Sequence, residues 1–504
     1  MPCLIAAPSS GSGKTLLSLS LAALAQQRGL RLQPFKVGPD YLDPQLLSRV
    51  SGLACRNLDP LLCGEAWVER SFHWHGSRAD LALVEGVMGL FDGLGSSSQG
   101  SSAAVAAQLG LPVVLVVEAS RQAGSLAALV RGFRDHALAM APRPVELAGV
   151  VLNRVGSERH RLLLTEALAS IEVPLLGVLP NSAAFELPSR HLGLHPPHEL
   201  EDLEARQAEW AALAEQHLDL EQLWPLLTPP AAPADPVDPI SWCLQHVAPT
   251  AATGSAVEGT PATAFTSQRS SHGLPIAVAS DAAFHFRYPE AGELLQALGL
   301  KPIPWSPLAD EALPAGTRGV LLPGGYPELH AGQLAASQRS LNSLRVAAQA
   351  GLPIAAECGG LLLLGRSLQD PLGVEHAMAG VLPFSAARGE LSLGYRQATA
   401  GADGLLVRRG ETVWAHEFHR WQLQPLVGSS ESLWQVEGWG VASRVEGWTA
   451  PNVHASWLHL HWAGCPAIPS RLAAACGHAA PLPANAASSS PANLAPRPPL
   501  SAGA

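Results

Sequence analysis

The 504-residue chain has few cysteines, few charged residues and few aromatic residues, and each shortage excludes a class of protein. Its seven cysteines are scattered and form no CxxC pair, which excludes a disulfide framework and fits a reducing compartment. Charged residues make up 15% of the chain and leave a net charge of −10, with no Lys/Arg run suited to a nucleic-acid backbone. No apolar run reaches the roughly 18 residues of a membrane span, and the N-terminus shows no export signal. We therefore expect a cytoplasmic protein that binds neither nucleic acid nor membrane.

What the chain does contain is apolar sequence, 47% of all residues, arranged in two α/β alternations. Short β-like runs alternate with helix-length segments over residues 1–228, which predicts a doubly wound parallel sheet with helices on both faces. The predicted strands are 3–7, 32–37, 80–86, 112–118, 147–153 and 174–180. A second alternation over residues 273–465, with strands at 275–280, 318–325 and 353–358, predicts a smaller α/β domain.

Two further segments are rich in Pro, Ala, Ser and Thr and show no apolar period. Residues 229–272 are predicted to form a flexible linker between the domains. Residues 466–504 are predicted to be a disordered tail. The oligomeric state is left open.

A Gly-rich turn follows the first predicted strand and precedes an apolar helix. In this position the backbone N–H groups and the helix dipole point at an anion, although Pro8 stands where a Walker A motif has its first Gly. Lys14 would reach the outer phosphates of a nucleotide, and the Thr15 hydroxyl would bind Mg²⁺. We assign five residues to the phosphate site: Gly11, Ser12, Gly13, Lys14 and Thr15.

Three carboxylates follow neighbouring strands and could complete this site. Asp40 and Asp43 come after the second strand, and Glu85 ends the third. Open α/β sheets place ligands at the carboxyl ends of their strands. Asp40 and Asp43 could bind Mg²⁺ or position a substrate, and Glu85 stands where a Walker B acid holds the metal.

A cysteine at the end of a predicted strand suggests a second site in the C-terminal domain. Cys358 precedes two glycines and a helix-like run, so the turn would expose the thiol and supply N–H groups for an oxyanion. The pair Gly324-Gly325 could complete the oxyanion hole. The strand-like segment 455–462 offers His459 or His461 as the base, and both would face the same side of a strand.

One motif resembles a metal site without matching it. His416-Glu417-Phe418-His419 places its histidines three residues apart, whereas HExxH requires a spacing of four on one helical face. No further Cys/His set lies at zinc spacing. Metalloprotease chemistry is therefore disfavoured.

The order of these motifs resembles the glutamine-dependent cobyrinate (or hydrogenobyrinate) a,c-diamide synthases. The resemblance covers about residues 3–462 and rests on VGPDYLDP, EGVMGLFDG, LNRVGSERH, GGYPELH, ECGGLLLLG, HEFH and ASWLHLHW. It implies a dethiobiotin-synthetase-like P-loop domain joined to a class I glutamine amidotransferase domain. It also implies ligase activity on the a and c acetates of cobyrinate or hydrogenobyrinate, with ATP, Mg²⁺ and glutamine, in cobalamin synthesis.

The resemblance also assigns roles to particular residues. Cys358 would be the glutaminase nucleophile and His459 its base, in a Cys–His dyad, because no acid stands two residues after His459. Asn153 would contact adenine. Asp40, Asp43 and Glu85 would serve corrin binding, metal binding or the chemistry, with Thr15 and Glu85 on Mg²⁺.

Two alternatives remain at this stage. A cobyrate synthase, which amidates other corrin side chains, has a similar pair of domains, but VGPDYLDP with GGYPELH favours the a,c-enzyme. A ParA/MinD-like switch ATPase would carry a further lysine where Ser9 stands, and it has no cysteine domain. The sequence leaves open whether the corrin substrate contains cobalt.

Overall fold

The computed structural model describes residues 1–136, 145–182, 185, 187, 189–190, 193–200, 202–245, 273–425 and 432–483. The chain forms two compact units. The first comprises Met1–His246, Tyr288–Ala291 and His461–Cys465, and the second comprises Val247–Arg287, Gly292–Leu460 and Pro466–Ala504. None of the helices in the described ranges is long and apolar enough to cross a bilayer.

The first unit is built on a sheet of seven parallel strands. They are β1 Leu4–Ala6, β2 Leu32–Val37, β3 Arg56–Leu58, β4 Leu81–Glu85, β5 Val113–Glu118, β6 Leu147–Val155 and β7 Leu175–Pro180. Their order across the sheet is β3-β2-β4-β1-β5-β6-β7. This order puts the carboxyl ends of β1, β2 and β4 side by side, which is where the predicted phosphate site lies.

Helices cover both faces of this sheet. They are α1 Lys14–Gln27, α2 Leu42–Ser51, α3 Pro60–Cys63, α4 Glu65–Gly76, α5 Ser102–Leu109, α6 Ser125–Asp135, α7 Glu158–Ala169, α8 Leu203–His217, α9 Leu220–Leu223 and α10 Pro239–Gln245. Successive residues of β1 point to opposite faces, so Ile5 packs with α1 and α8 while Leu4 packs with α4, α5 and α7. The predicted doubly wound fold is therefore confirmed.

The second unit contains one mixed sheet. Its strands are β10 Leu274–Ala279, β11 Leu300–Trp305, β12 Val320–Leu322, β13 Ile354–Glu357, β14 Ser367–Gln369, β15 Glu375–Ala377, β16 Ser385–Ala400, β17 Thr412–Gln424, β18 Ser432–Gly438, β19 Val441–Ala450 and β20 Val453–Ser456; the intervening β8 Ser189–Arg190 and β9 Gly193–Leu194 pair in the first unit. The main path is β11-β10-β12-β13-β20-β19-β18-β16-β14-β15, and β17 pairs with β16. The first five strands of that path are parallel, as predicted for an α/β domain.

The helices of the second half of the chain are α11 Pro289–Ala297, α12 Ala331–Ala336, α13 Gln338–Gln349, α14 Gly359–Leu364 and α15 Ala467–His478. The first turn of α11 belongs to the segment Tyr288–Ala291 that groups with the first unit. Helix α14 begins directly after Cys358, so the strand–turn–helix arrangement predicted around the thiol is present.

The predicted linker and tail differ from the structure in their described parts. Helix α10 lies inside the predicted linker, with Cys243 buried, and residues 246–272 of that linker fall outside the described residues. Helix α15 lies inside the predicted tail, of which residues 484–504 are not described. Ile468, Leu472 and Cys476 recur every four residues and are buried, so this alanine-rich stretch has a helical apolar face. The weak hydrophobicity of alanine concealed that period.

Candidate functional site

The predicted phosphate loop connects β1 to α1 and is braced by β6. Gly13, the residue before α1, has φ of 110°, a left-handed conformation that glycine adopts without strain. The amide Nδ2 of Asn153 donates to the carbonyl of Ser12 at 3.0 Å. A Cβ on Gly13 would lie 2.2 Å from that Nδ2. Asn153 therefore packs directly on the loop, and its contact with adenine remains a prediction.

Lys14, at the start of α1, is buried against the loop that follows β4. Its Nζ donates to the carbonyl of Met88 at 2.6 Å. Burial lowers the pKa of Lys14 to about 8, helped by the positive charge of Lys36 and opposed by Glu85 and Asp43. Burial makes the charged form of Lys14 unfavourable, and a bound phosphate would stabilise that charge, which agrees with the predicted role of Lys14 in phosphate binding.

The three predicted acids converge on one buried lysine that sequence reasoning did not select. The Nζ of Lys36, on β2, lies 2.5 Å from Asp43 Oδ2, 2.8 Å from Glu85 Oε1 and 3.7 Å from Asp40 Oδ2. Thr15 Oγ1 donates to Glu85 Oε1 at 2.8 Å. The structure thus brings Thr15, Asp40, Asp43 and Glu85 together. Lys36 could have been recognised as a site residue only from its position in β2, where the parallel pairing with β4 places it opposite Glu85.

The electrostatics of this acid–lysine cluster depend on its burial. Burial disfavours the charge of Lys36, but Asp43 and Glu85 outweigh it and hold the lysine pKa well above its ordinary value. Burial also acts on Asp43, yet Lys36 holds the pKa of that carboxyl below its usual range. Burial and the neighbouring Asp43 charge raise the pKa of Asp40 to about 7. The cluster therefore contains a fixed ammonium and acids of unequal acidity.

The side-chain oxygen atoms of Thr15 and Glu85 are suitable ligands for a magnesium ion. Glu85 is fully buried, and its Oε2 has no hydrogen-bond partner among the described residues. Within those residues no group of three or more His, Cys, Asp or Glu side chains could hold a metal by itself. Mg²⁺ does not require such a cage, because it binds one or two protein oxygens together with substrate phosphates and water. Thr15 and Glu85 are the residues that could hold it.

The thiol site is built around a strained turn. Cys358 follows β13 and has φ of 45° and ψ of −112°, a conformation rare for a residue with a side chain. Its N–H donates to the carbonyl of Ser456 at 2.7 Å, and its Sγ lies 3.7 Å from the carbonyl of Phe418. Burial, with the negative charge of Glu328 adding to it, raises the pKa of the thiol well above its ordinary value. Cys358 therefore needs a base to become a thiolate.

The two glycine pairs approach each other so closely that no side chain would fit. A Cβ on Gly359 would lie 2.9 Å from the backbone N of Gly325. A Cβ on Gly324 would lie 2.5 Å from Cε1 of His459. The backbone of Gly324-Gly325 therefore lies close to both the cysteine turn and the His459 ring, as the predicted oxyanion hole requires.

The structure distinguishes the two candidate bases. Strand β20 ends at Ser456, so His459 and His461 lie beyond it, and the expected shared strand face is wrong. His459 belongs to the second unit and contacts Gly324, whereas His461 belongs to the first unit, with its Nε2 3.6 Å from Glu290 Oε2. Burial lowers the pKa of His459 to about 3, with His416 and His419 adding to the effect. A neutral His459 is a proton acceptor.

The HEFH stretch lies in strand β17 rather than in a helix. His416 and His459 exchange two backbone hydrogen bonds, of 3.0 and 2.8 Å. The carbonyl of Phe418 faces Cys358, as described above. Sequence reasoning gave this stretch no role in thiol chemistry, because it was weighed only as a metal motif and as one of the motifs of the family resemblance.

Comparison with known proteins agrees with this two-site architecture. Residues 3–194 match the model of the CobQ/CobB/MinD/ParA nucleotide binding domain, and residues 275–466 match the CobB/CobQ-like glutamine amidotransferase domain. The chain is 40% identical over 485 residues to a cobyrinate a,c-diamide synthase of Synechococcus sp., covering 96% of this chain and 100% of the relative. It is 43% identical to a cobyrinate a,c-diamide synthase of Gloeobacter violaceus, covering 92% and 94% of the two chains. It is 41% identical to a hydrogenobyrinate a,c-diamide synthase of Streptomyces coelicolor, covering 94% and 96%. The chain therefore belongs to the cobyrinate and hydrogenobyrinate a,c-diamide synthase family.

Proposed function

We propose that this chain is a glutamine-hydrolysing ligase that amidates the a and c acetate carboxylates of cobyrinate or hydrogenobyrinate in cobalamin biosynthesis. One observation carries the proposal: the same chain contains two candidate sites. One is a phosphate loop beside an acid–lysine cluster, and the other is a cysteine on a strained turn with a candidate histidine base. The names of relatives that match over nearly their full length support the choice of substrate. A switch ATPase would have no use for the cysteine turn.

The first half-reaction activates the acid. A carboxylate oxygen of the corrin acetate attacks the γ-phosphorus of ATP, ADP leaves, and an acyl phosphate forms. Backbone N–H groups of Gly11 to Gly13 bind the phosphates, and Lys14 neutralises the charge that develops on the transferred phosphoryl group. Asp43 and Glu85 hold Lys36 in place. After Lys14, Lys36 would be the second cation that stabilises the charge of the transferred phosphoryl group.

Thr15 and Glu85 would hold a Mg²⁺ ion, which when bound would neutralise negative charge on the nucleotide phosphates. The Oε2 of Glu85, which has no hydrogen-bond partner in the part of the chain that the structure describes, and the nearby Thr15 hydroxyl support this assignment. Asp40 and Asp43 would position the corrin carboxylate or water molecules on the metal.

The second half-reaction supplies nitrogen. His459 takes the proton of Cys358, the thiolate attacks the amide carbon of glutamine, and the protonated His459 returns the proton to the leaving ammonia. Water then hydrolyses the thioester to glutamate. N–H groups of the two glycine pairs stabilise the oxyanions, and ammonia displaces phosphate from the acyl phosphate. We place the reaction in the cytoplasm, since all seven cysteines are free thiols.

Mass spectrometry of the corrin product tests this function. Purified protein is incubated with ATP, Mg²⁺ and glutamine, and with cobyrinate in one reaction and hydrogenobyrinate in a parallel one. The proposal predicts a diamide from at least one of the two precursors. A product amidated at other side chains would favour the cobyrate synthase alternative, and absence of any amide would overturn the proposal.

A further inference from the structure

Three residues of strand β17 each contact the thiol site at one point. The backbone of His416 pairs with that of His459, and the carbonyl of Phe418 lies 3.7 Å from Cys358 Sγ. The ring of His419 stacks on Trp457, with 3.9 Å between ring centroids and 10° between ring planes. Trp457 stands two residues before His459 in the chain. The HEFH stretch therefore touches the nucleophile, the base and the turn that carries the base.

Two hydrogen bonds hold the ring of His419 in place. Its Nδ1 lies 2.8 Å from the carbonyl of Trp421, and its Nε2 lies 2.8 Å from Glu417 Oε1. Because each ring nitrogen has a polar partner, these two contacts hold the ring in one orientation. Glu417 is fully buried and also accepts from Arg396 Nε at 2.8 Å and Arg444 Nη2 at 2.5 Å. Two arginines thus keep this carboxylate charged and in place.

The parallel stack of His419 on Trp457 brings the two ring faces into contact, so the position of one ring constrains the other. The same tryptophan is held through its backbone, because its N–H donates to Glu446 Oε1 at 2.7 Å. Glu446 also accepts from the Ser456 hydroxyl at 2.7 Å. The turn from Ser456 to His459 is consequently fixed by the Glu446 carboxyl group at one end, the ring stack on Trp457 in the middle and the β17 backbone at the other end.

We propose that His419, held by Glu417, is the positioning residue of the thiol site and does the work that an acid beside the histidine does in a catalytic triad. It acts through Trp457 on the orientation of His459 rather than by touching substrate. The proposal rests on the proposed glutaminase half-reaction. It gives a function to the one sequence motif that neither the phosphate site nor the cysteine turn had used.

The charge of His419 has a second consequence for His459. Three titratable groups of β17 act on that ring: His416 and His419 lower its pKa, and Glu417 raises it, in addition to the larger effect of burial. Removing the His419 cation should raise the pKa of His459. Less of the base would then be neutral at a given pH, and the acidic limb of the glutaminase pH profile should move to higher pH.

Two substitutions separate stacking from charge. H419A removes the stack, the charge and both hydrogen bonds, whereas H419F keeps an aromatic ring against Trp457. We expect the kcat of glutamine hydrolysis to fall by about 100-fold in H419A, because small displacements of a catalytic group have effects of this size. H419F should recover part of that loss, the KM for glutamine should change little in both variants, and the acidic limb should shift upward in both.

The matched control is H376A, since His376 makes the same kind of pair with Asp370, at 3.1 Å, on a different hairpin of this unit. The proposal is overturned if H419F equals wild type in kcat and pH profile, or if H419A loses no more activity than H376A. Wild-type protein that forms no glutamate from glutamine would instead remove the proposed function and this inference with it. Ammonium-driven amide formation, measured in each variant, should remain at the wild-type rate and shows that the first unit has folded, and an unchanged Tm shows the same for the second unit.

Discussion

At the scale of single residues, both candidate sites depend on charges that burial makes costly. Lys36 is almost inaccessible to solvent, yet it stays charged because Asp43 and Glu85 lie within 2.8 Å of its Nζ. Cys358 differs from Lys36, because its surroundings favour the neutral thiol over the charged thiolate. A neutral His459 in the same unit is therefore necessary for nucleophilic chemistry.

The Cys358→Ser substitution should separate the two half-reactions. A serine hydroxyl is a far weaker nucleophile than a thiolate, so glutamine-driven amide formation should be lost. Amide formation from added ammonium should continue at the wild-type rate, because the phosphate site is untouched. Both rates can be followed by chromatography of the corrin product. Loss of the ammonium-driven reaction as well would contradict two separable sites.

The Lys36→Met substitution should abolish acid activation. It leaves Asp43 and Glu85 buried without their counter-charge and removes a cation from the predicted phosphoryl-transfer site. We expect ammonium-driven amide formation to fall by at least about 100-fold, while glutamine hydrolysis at Cys358 persists.

Lys301→Met is the matched control, because Lys301 is an exposed lysine on β11. It should leave both half-reactions at wild-type rates. A Lys36→Met protein that forms amides from ammonium as fast as this control would show that Lys36 has no part in activation.

Two turns are what position the chemistry at the scale of secondary-structure elements. Gly13 precedes α1 with φ of 110°, and Cys358 precedes α14 with φ of 45°. Each turn joins the carboxyl end of a parallel strand to a helix N-terminus, where N–H groups and the helix dipole favour negative charge. One turn suits phosphate and the other suits an oxyanion.

The Gly13→Ala substitution should disrupt the phosphate loop. The new Cβ would lie 2.2 Å from Asn153 Nδ2, so the loop or β6 must move. We expect kcat/KM for ATP in the ammonium-driven reaction to fall by about 100-fold. Gly29→Ala is the control, because Gly29 has φ of 71° with open space around its Cβ position, so it should lower Tm without changing the kinetics. Equal kinetics in the two variants would contradict this account of the loop.

Glu446 should make the stability of the second unit depend on pH. Burial raises the pKa of Glu446 from 4.5 to about 7. A carboxyl with a raised pKa in the folded state stabilises that state fully below its unfolded pKa, and the contribution is lost as pH rises through the folded value. Relative to Glu446→Gln, which mimics the protonated acid, the wild type should lose up to roughly 3 kcal/mol of stability between pH 4.5 and above pH 7.

Thermal unfolding of both proteins across that pH range measures this difference. Glu390→Gln, at an exposed glutamate of β16, is the control and should follow the wild type at every pH. Parallel Tm curves for the wild type and Glu446→Gln would show that Glu446 has an ordinary pKa.

Elements with a strong apolar pattern could be predicted from the sequence, and short or weakly patterned ones could not. Strands β4 and β5 are buried on both faces and are apolar up to a final glutamate, so their positions were evident. β3 has only three residues, Arg56–Leu58, and α15 is rich in alanine, so neither produced a signal. Pairing across strands is not local information, which is why Lys36 opposite Glu85 was missed.

The same lack of non-local information explains why the shared strand face predicted for His459 and His461 was wrong. A strand running through residues 455–462 would have placed His459 and His461 on one side, but the strand ends at Ser456. Where a strand stops depends on its partners, here β13 and β19, which the local sequence does not show. The candidate nucleophile and phosphate loop were predictable because their motifs are contiguous in sequence.

At the scale of the whole molecule, the chain combines a nucleotide-binding unit with a glutamine amidotransferase-like unit. Both family models match, and three curated relatives align with 92–96% of the chain. The predicted family and fold class are confirmed by these matches. The central claim of the account is that one chain activates an acid with ATP and supplies its nitrogen from glutamine.

Isotope transfer in a single reaction tests that claim most directly. The corrin substrate carries heavy oxygen in its acetate carboxylates, and glutamine carries heavy nitrogen in its side-chain amide. The account predicts that each amide formed contains the heavy nitrogen and releases one heavy oxygen into inorganic phosphate, because an acyl phosphate is the intermediate. Heavy oxygen found in AMP, or amides without the glutamine nitrogen, would contradict it.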